Sequence, residues 1–356
     1  MTARAAARLR GFAPGLVVVG LIAAGFYFYG LGAGGTFYFK LVKAPFAPAI
    51  DAPYYRASIL HVALAHWLGL GASILGFRLA VLSCLWAAWG YLALVIRRRL
   101  SVSDTCLVLV VLMCHPSAMI AYAWTCHPDA LTYLLGAILM FSRRPWVVAV
   151  VAVLGAWTHL AMWGVVCINA VILWLGFAEP RARARAVAAG VGLVVGAGSC
   201  ALALHLCGIE IARGRLALGM ANELDVLLGY WTRVGWPVFY SLHFAHLLWL
   251  PALLVTLHRS RRAGAFALLL TQALALTAAF FTQDTTRVFG FLAWGPLVYC
   301  LVYALSEERG AGGRRYLRPL IGVAVIITLV APKVFAWKGD LRDTEGARAQ
   351  LRGLLF

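Results

Sequence analysis

Charge is what this chain has least of. Only 12% of its 356 residues are Asp, Glu, Lys or Arg, about half the share found in a soluble domain. Acids are scarcer still: 13 against 31 Lys and Arg. With 63% apolar residues and a mean hydropathy of +0.86, there is too little polar surface to cover a water-soluble fold. Other features are missing altogether. The alternating ten-residue segments of a transmembrane β-barrel do not occur. No Cys-x-x-Cys pair exists, and the eight cysteines lie within or at the ends of apolar runs, as small buried hydrophobes do. Walker A, G-x-S-x-G, H-E-x-x-H and dinucleotide-binding glycine motifs are lacking in any context that would support them. No internal repeat is visible, so the inverted-repeat signature of many transporters is missing too.

What remains is a succession of apolar runs of about 15–25 residues, which predicts an all-α, polytopic transmembrane helix bundle. Eleven helices are expected, at about 14–36, 72–96, 104–124, 128–143, 145–158, 161–177, 187–207, 234–258, 264–281, a tenth ending at 305, and 319–332. The first run is too long for the apolar core of a signal peptide, so it reads as a retained helix. Arg4, Arg8 and Arg10 precede it and Arg97-Arg98-Arg99 closes the second helix. This bias places the N-terminus in the cytoplasm and the C-terminus outside. The inner segments then hold more than half of all Lys and Arg, and most acids fall outside. The net charge of +18 thus reports orientation rather than a nucleic-acid partner. Residues 1–338 form the helical domain, and 339–356 a short extracytoplasmic tail.

The first outer loop is long. It carries Lys40, Lys43, Asp51 and Arg56 among prolines and aromatics. Loops of this length inside a compact fold tend to be functional. Residues 56–69 read as a short helix at the outer surface, interrupted by His61 and His66. Three further outer corners carry ionisable groups flanked by apolar helices: His127 with Asp129, His159, and Asp284 with Arg287. Such groups are functional candidates, and four loops at one end of a bundle can converge on one pocket. Loop residues are also polar simply because loops meet water, which suffices for Glu210, Glu223 and Asp225.

Cys-His-Pro occurs twice, at 114–116 and 126–128. Twelve residues of straight helix rise about 18 Å, too far for one shared ion. His61 and His66 lie roughly 140° apart around a helix. His243 and His246 share a face, where imidazoles bonded to neighbouring helices are the plainer reading. No metal site is assigned.

The whole pattern resembles the GT-C superfamily of integral-membrane glycosyltransferases, over about residues 12–305. The resemblance rests on Asp51-Ala52-Pro53-Tyr54-Tyr55-Arg56 in the first outer loop, Arg78-Leu79, the Arg97-Arg98-Arg99 stop and the mid-helix Pro116. It rests also on His127-Pro128-Asp129-Ala130-Leu131 opening the fourth helix, the short fifth and sixth helices, and Asp284-Thr285-Thr286-Arg287. Many members carry an acidic pair where Asp51 stands alone, and many end in a larger outer domain.

The resemblance implies transfer of a sugar from a polyprenyl-phosphate carrier to a glycan or lipid hydroxyl. Transfer would occur at the outer face of a bacterial-type plasma (inner) membrane, with the lipid chain lying between helices. Asp51 is then the expected base. Arg287 is first choice, and Arg56 second, for the phosphate. His127, Asp129, His159 and Asp284 would position hydroxyls. No cofactor is expected, although the resemblance admits a divalent metal. The competing reading is a transporter or flippase of a lipid-linked or small anionic substrate, which would want charges near the midplane. A third, a structural subunit, would show no polar convergence.

Overall fold

A computed structural model of the chain describes residues 3–48, 58–209, 244–280, 282, 284–310, 317–337 and 340–355. Asp51, Arg56, His243 and the 208–233 loop beyond Ile209 lie outside the described residues. The elements run α1 (Ala3–Tyr29), α2 (Thr36–Val42), α3 (Leu60–Trp67), α4 (Ile74–Ile96), α5 (Val102–Cys114), α6 (Pro116–Ala123), α7 (Asp129–Phe141) and α8 (Pro145–Gly176). They continue as α9 (Ala182–Leu206), α10 (Phe244–Ser260), α11 (Arg262–Phe280), α12 (Thr285–Gly310), α13 (Leu317–Val330), strands β1 (Val334–Trp337) and β2 (Asp340–Asp343), and α14 (Glu345–Leu355). Among the described residues the fold is all-α apart from that hairpin. Five described helices are long and apolar enough to cross a membrane, and a sixth is if the bent pair α5–α6 counts as one.

Each of the eleven expected apolar segments carries a helix, but three boundaries move. The first helix ends at Tyr29, not near 36. Gly30 (φ +75°) and Gly35 (φ +80°) are left-handed and terminate it, and α2 starts afresh in what reads as loop. The third helix breaks at His115, whose extended backbone (φ −73°, ψ 145°) lets Pro116 open α6 at a bend of 53°. Both Cys-His-Pro triplets therefore serve as helix starts, since Pro128 likewise leads directly into α7.

The expected fifth and sixth helices are two arms of α8, joined at His159, which is extended (φ −169°, ψ 87°). Two observations show that the chain folds back there. A Cβ on Gly155 would lie 1.8 Å from the indole of Trp163, whereas eight residues of straight helix span about 12 Å. Trp174, near the end of the second arm, donates to Met140 O at 3.1 Å, just before the first arm begins. α9 runs parallel to the first arm. Gly192 packs against Ala149 O, Gly196 against Val153 O, and Trp157 donates to Ser199 at 3.0 Å. Small residues let the backbones approach, as membrane helices require.

The arginine-rich helix ends gather at one end of the bundle. Glu179 accepts from Arg99 at 3.0 Å, from Tyr299 at 2.9 Å and from Tyr303. Arg318 forks onto Asp104 at 2.8 and 3.2 Å, and Arg261 pairs with Glu307. The C-terminal segment packs at the opposite end. β1 and β2 pair antiparallel, Trp337 opposite Asp340, Ala336 N–H donates to Thr286 at 2.9 Å, and Leu31 N–H reaches Ala347 O at 3.1 Å. Lys333 satisfies the last carbonyls of α13.

Candidate functional site

At the end opposite the arginines, α6 stops at Ala123 and the chain turns through Trp124–Pro128 into α7. A glycine loop cradles that corner. Gly32 N–H donates to Tyr122 O at 2.9 Å, Thr125 Oγ1 donates to Gly32 O at 2.6 Å, and Cys126 N–H reaches Gly34 O at 3.2 Å. Gly35 lies directly under the His127 ring, where a Cβ would come within 2.3 Å of Cδ2.

Asp129 opens α7, where the helix dipole favours a carboxylate. It is only 2% exposed, and Arg287 takes both its oxygens, through Nε at 2.7 Å and Nη2 at 2.8 Å. Arg287 sits in the first turn of α12, the wrong end of a helix for a cation. A second carboxylate compensates: Nη1 donates to Asp284 at 3.1 Å. The guanidinium also lies 5.6 Å from the Trp124 ring centre. Two carboxylates against one guanidinium leave one formal negative charge.

His127 and His61, the buried histidines beside this cluster, are neutral. His127 stands 4.9 Å from the Trp124 ring and 5.2 Å from Tyr38. Burial depresses its pKa well below the usual value, and the Arg287 guanidinium adds to that. His61 packs 4.7 Å from Tyr38 on the other side. Its Nε2 lies 3.2 Å from Cys126 O, so that nitrogen carries the proton. Burial takes its pKa down to about 3. His159 caps the second arm of α8 through Met162 N–H at 3.4 Å. α8 packs against α3, which puts the His159 turn at the same end.

The structure thus brings together His127, Asp129, Asp284 and Arg287, with His159 beside them. Asp51 and Arg56 lie outside the described residues, but both flanks of their loop are fastened here. His66 Nδ1 bonds Val42 O at 2.7 Å, and Ser58 and Ile59 are buried. Sequence reasoning missed His61, Tyr38, Trp124 and the glycine loop as parts of the site. The cluster Gly30, Gly32, Gly34 and Gly35 was the signal. Asp284 Oδ1 and His127 Nδ1 are buried without a hydrogen-bond partner among the described residues. They offer an acceptor and a ring nitrogen to a polar ligand. No three of His, Cys, Asp and Glu gather to hold a metal ion among the described residues.

Two outcomes follow. Gly35→Ala forces a left-handed alanine and pushes the His127 ring, and is expected to destabilise by roughly 2–4 kcal/mol. Gly69→Ala has the same backbone demand (φ +70°) with open space around it. It should cost only about 1–2 kcal/mol, and unfolding curves of the two variants separate the ring contact from the backbone. The second outcome concerns pH. His61 belongs to an eight-residue helix too short to span, and its folded pKa is below the unfolded one. Below pH 6.5 the unfolded chain takes up a proton that the folded state refuses. Stability is therefore full above 6.5 and falls by up to about 1.4 kcal/mol per pH unit as pH drops toward about 3. Unfolding measured against pH should flatten in His61→Gln.

Comparison with protein-family models, curated proteins and solved structures returns no match.

Proposed function

We propose that this protein is a membrane glycosyltransferase. It moves a sugar from a polyprenyl-phosphate carrier to a hydroxyl acceptor, at the end of the bundle opposite the arginine-rich one. The observation that supports this most is the buried Asp129–Arg287–Asp284 cluster with neutral His127 beside it. This polar convergence faces the fastened ends of the loop carrying Asp51. A purely structural subunit has no use for Asp284 Oδ1 and His127 Nδ1 buried without a partner among the described residues. Against a transport path, the described acids that form ion pairs in the bundle sit at its two ends: Asp104, Glu179 and Glu307 at one, Asp129 and Asp284 at the other.

Asp51 takes the acceptor hydroxyl proton as the acceptor oxygen bonds the anomeric carbon. The bond from that carbon to the phosphate oxygen breaks, and polyprenyl phosphate leaves with the electron pair. Asp284 and His127 hold sugar hydroxyls. Asp129 holds Arg287 and, through it, the corner. By the positive-inside bias the arginine end is cytoplasmic and the site faces outward from a bacterial-type plasma membrane.

The test uses purified protein in proteoliposomes and a panel of polyprenyl-phosphate sugars labelled in the sugar, with a membrane-lipid extract as acceptor. Label should pass to a new acceptor as polyprenyl phosphate appears. Passage of intact donor across the bilayer, with no transfer from any donor, would replace this reading with the flippase.

A further inference from the structure

The cluster's own charge raises a problem for the expected phosphate site. Arg287 has three of its nitrogens committed to carboxylates, and the cluster is net negative. The donor's phosphodiester, and the monoester that leaves, meet like charge there, which disfavours binding. The cation they need must lie elsewhere at the same end.

Arg78 meets the requirement. It sits in the second turn of α4, at the end where α4 meets α2 and α3. Phe77 beside it stacks on His61 at 6.1 Å and lies 5.9 Å from Phe39 of α2. The guanidinium lies against the thiol of Cys126, the neighbour of His127. Its Nε is buried with no hydrogen-bond partner, and no carboxylate pairs with it among the described residues. A half-buried guanidinium with an unmet N–H is costly to leave so, and its planar fork matches phosphate oxygens. Two more cations lie on α2, the helix whose Phe39 meets Phe77. Lys40 lies in the last turn of α2 and Lys43 caps it; both are exposed, and neither pairs with an acid among the described residues. His61 and His127, both neutral, do not repel a sugar bridging the two regions.

We infer that Arg78, with Lys40 and Lys43 on the neighbouring α2, holds the phosphate of the lipid carrier, and that Arg287 braces the sugar-binding corner. This rests on the proposed function and divides its site into a cationic phosphate half and an anionic sugar half.

The test compares binding of a short-chain polyprenyl monophosphate with that of the uncharged polyprenol, using purified protein in nanodiscs. The wild type should prefer the phosphate, and Arg78→Gln should lose that preference about tenfold or more, the scale of one charge-assisted hydrogen bond. Arg78→Lys should fall between. If Arg78→Gln unfolds, Arg78→Lys decides alone, an unchanged preference counting against the assignment. Competition with inorganic phosphate and with phosphatidylglycerol vesicles separates the sources. Displacement by inorganic phosphate alone would keep the Arg78 site but assign it to a free anion. Full preference in Arg78→Gln, or loss only when Arg287 is replaced, overturns the inference. Phosphate binding through Arg78 without sugar transfer would sink the transferase reading and leave this one standing. Transfer with an indifferent Arg78 would do the reverse.

Discussion

Arg287→Ala should destabilise the protein by about 3–5 kcal/mol, the cost of leaving a buried charge without its partner. The variant strands Asp129, 2% exposed, and Asp284 close to one another with no cation between them. Arg287→Lys should recover only part. An ammonium is a point charge and does not reproduce the fork that spans both Asp129 oxygens at 2.7 and 2.8 Å. Exchanging Asp284 and Arg287 should not rescue, because it sets an aspartate facing Asp129. The neutral triple variant, Asp129→Asn with Asp284→Asn and Arg287→Gln, should regain most of the loss, since replacing all the charges removes the unpaired ones. Chemical unfolding in detergent reads all four. A loss under about 1 kcal/mol in Arg287→Ala would mean the pair behaves as a solvent-exposed one.

Asp51→Asn carries the other large effect. The amide keeps the shape but cannot take a proton. Turnover should fall by about 10²–10⁴, the usual worth of a positioned base. Donor affinity should stay nearly constant, because the base acts chiefly in the transition state. Initial rates and donor binding on the same preparation decide it. A fall in affinity that matches the fall in rate would make Asp51 a binding residue.

The bundle was legible because apolar run length and arginine placement are one-dimensional signals. Arg97-Arg98-Arg99, Arg143-Arg144 and Arg261-Arg262 each close or open a helix where expected. His159 was legible as a corner, since the two short arms on either side leave no other arrangement. The end of α1 was not, because Gly30–Gly35 is apolar enough to read as more helix. Only the left-handed backbone at Gly30 and Gly35, and the close approach of residues 123–127, reveal the loop. The partner of Arg287 was half visible. Asp284 is three residues away, and the sequence already sets the two at one corner. Asp129 is 158 residues away, and no local pattern encodes such a pairing. Arg78 was visible as part of the Arg78-Leu79 run, with nothing to mark its lack of a partner. That no carboxylate among the described residues pairs with it emerges once each of those acids has been placed.

The measurement that bears most directly on the account is a structure of the protein with a polyprenyl phosphate bound. The phosphate should lie between Arg78 and the Asp51 loop, at the end of the bundle that holds Asp129 and Arg287, with the prenyl chain running down between helices. A phosphate seated instead among Arg99, Arg185 and Arg261, at the Glu179 end, would contradict it.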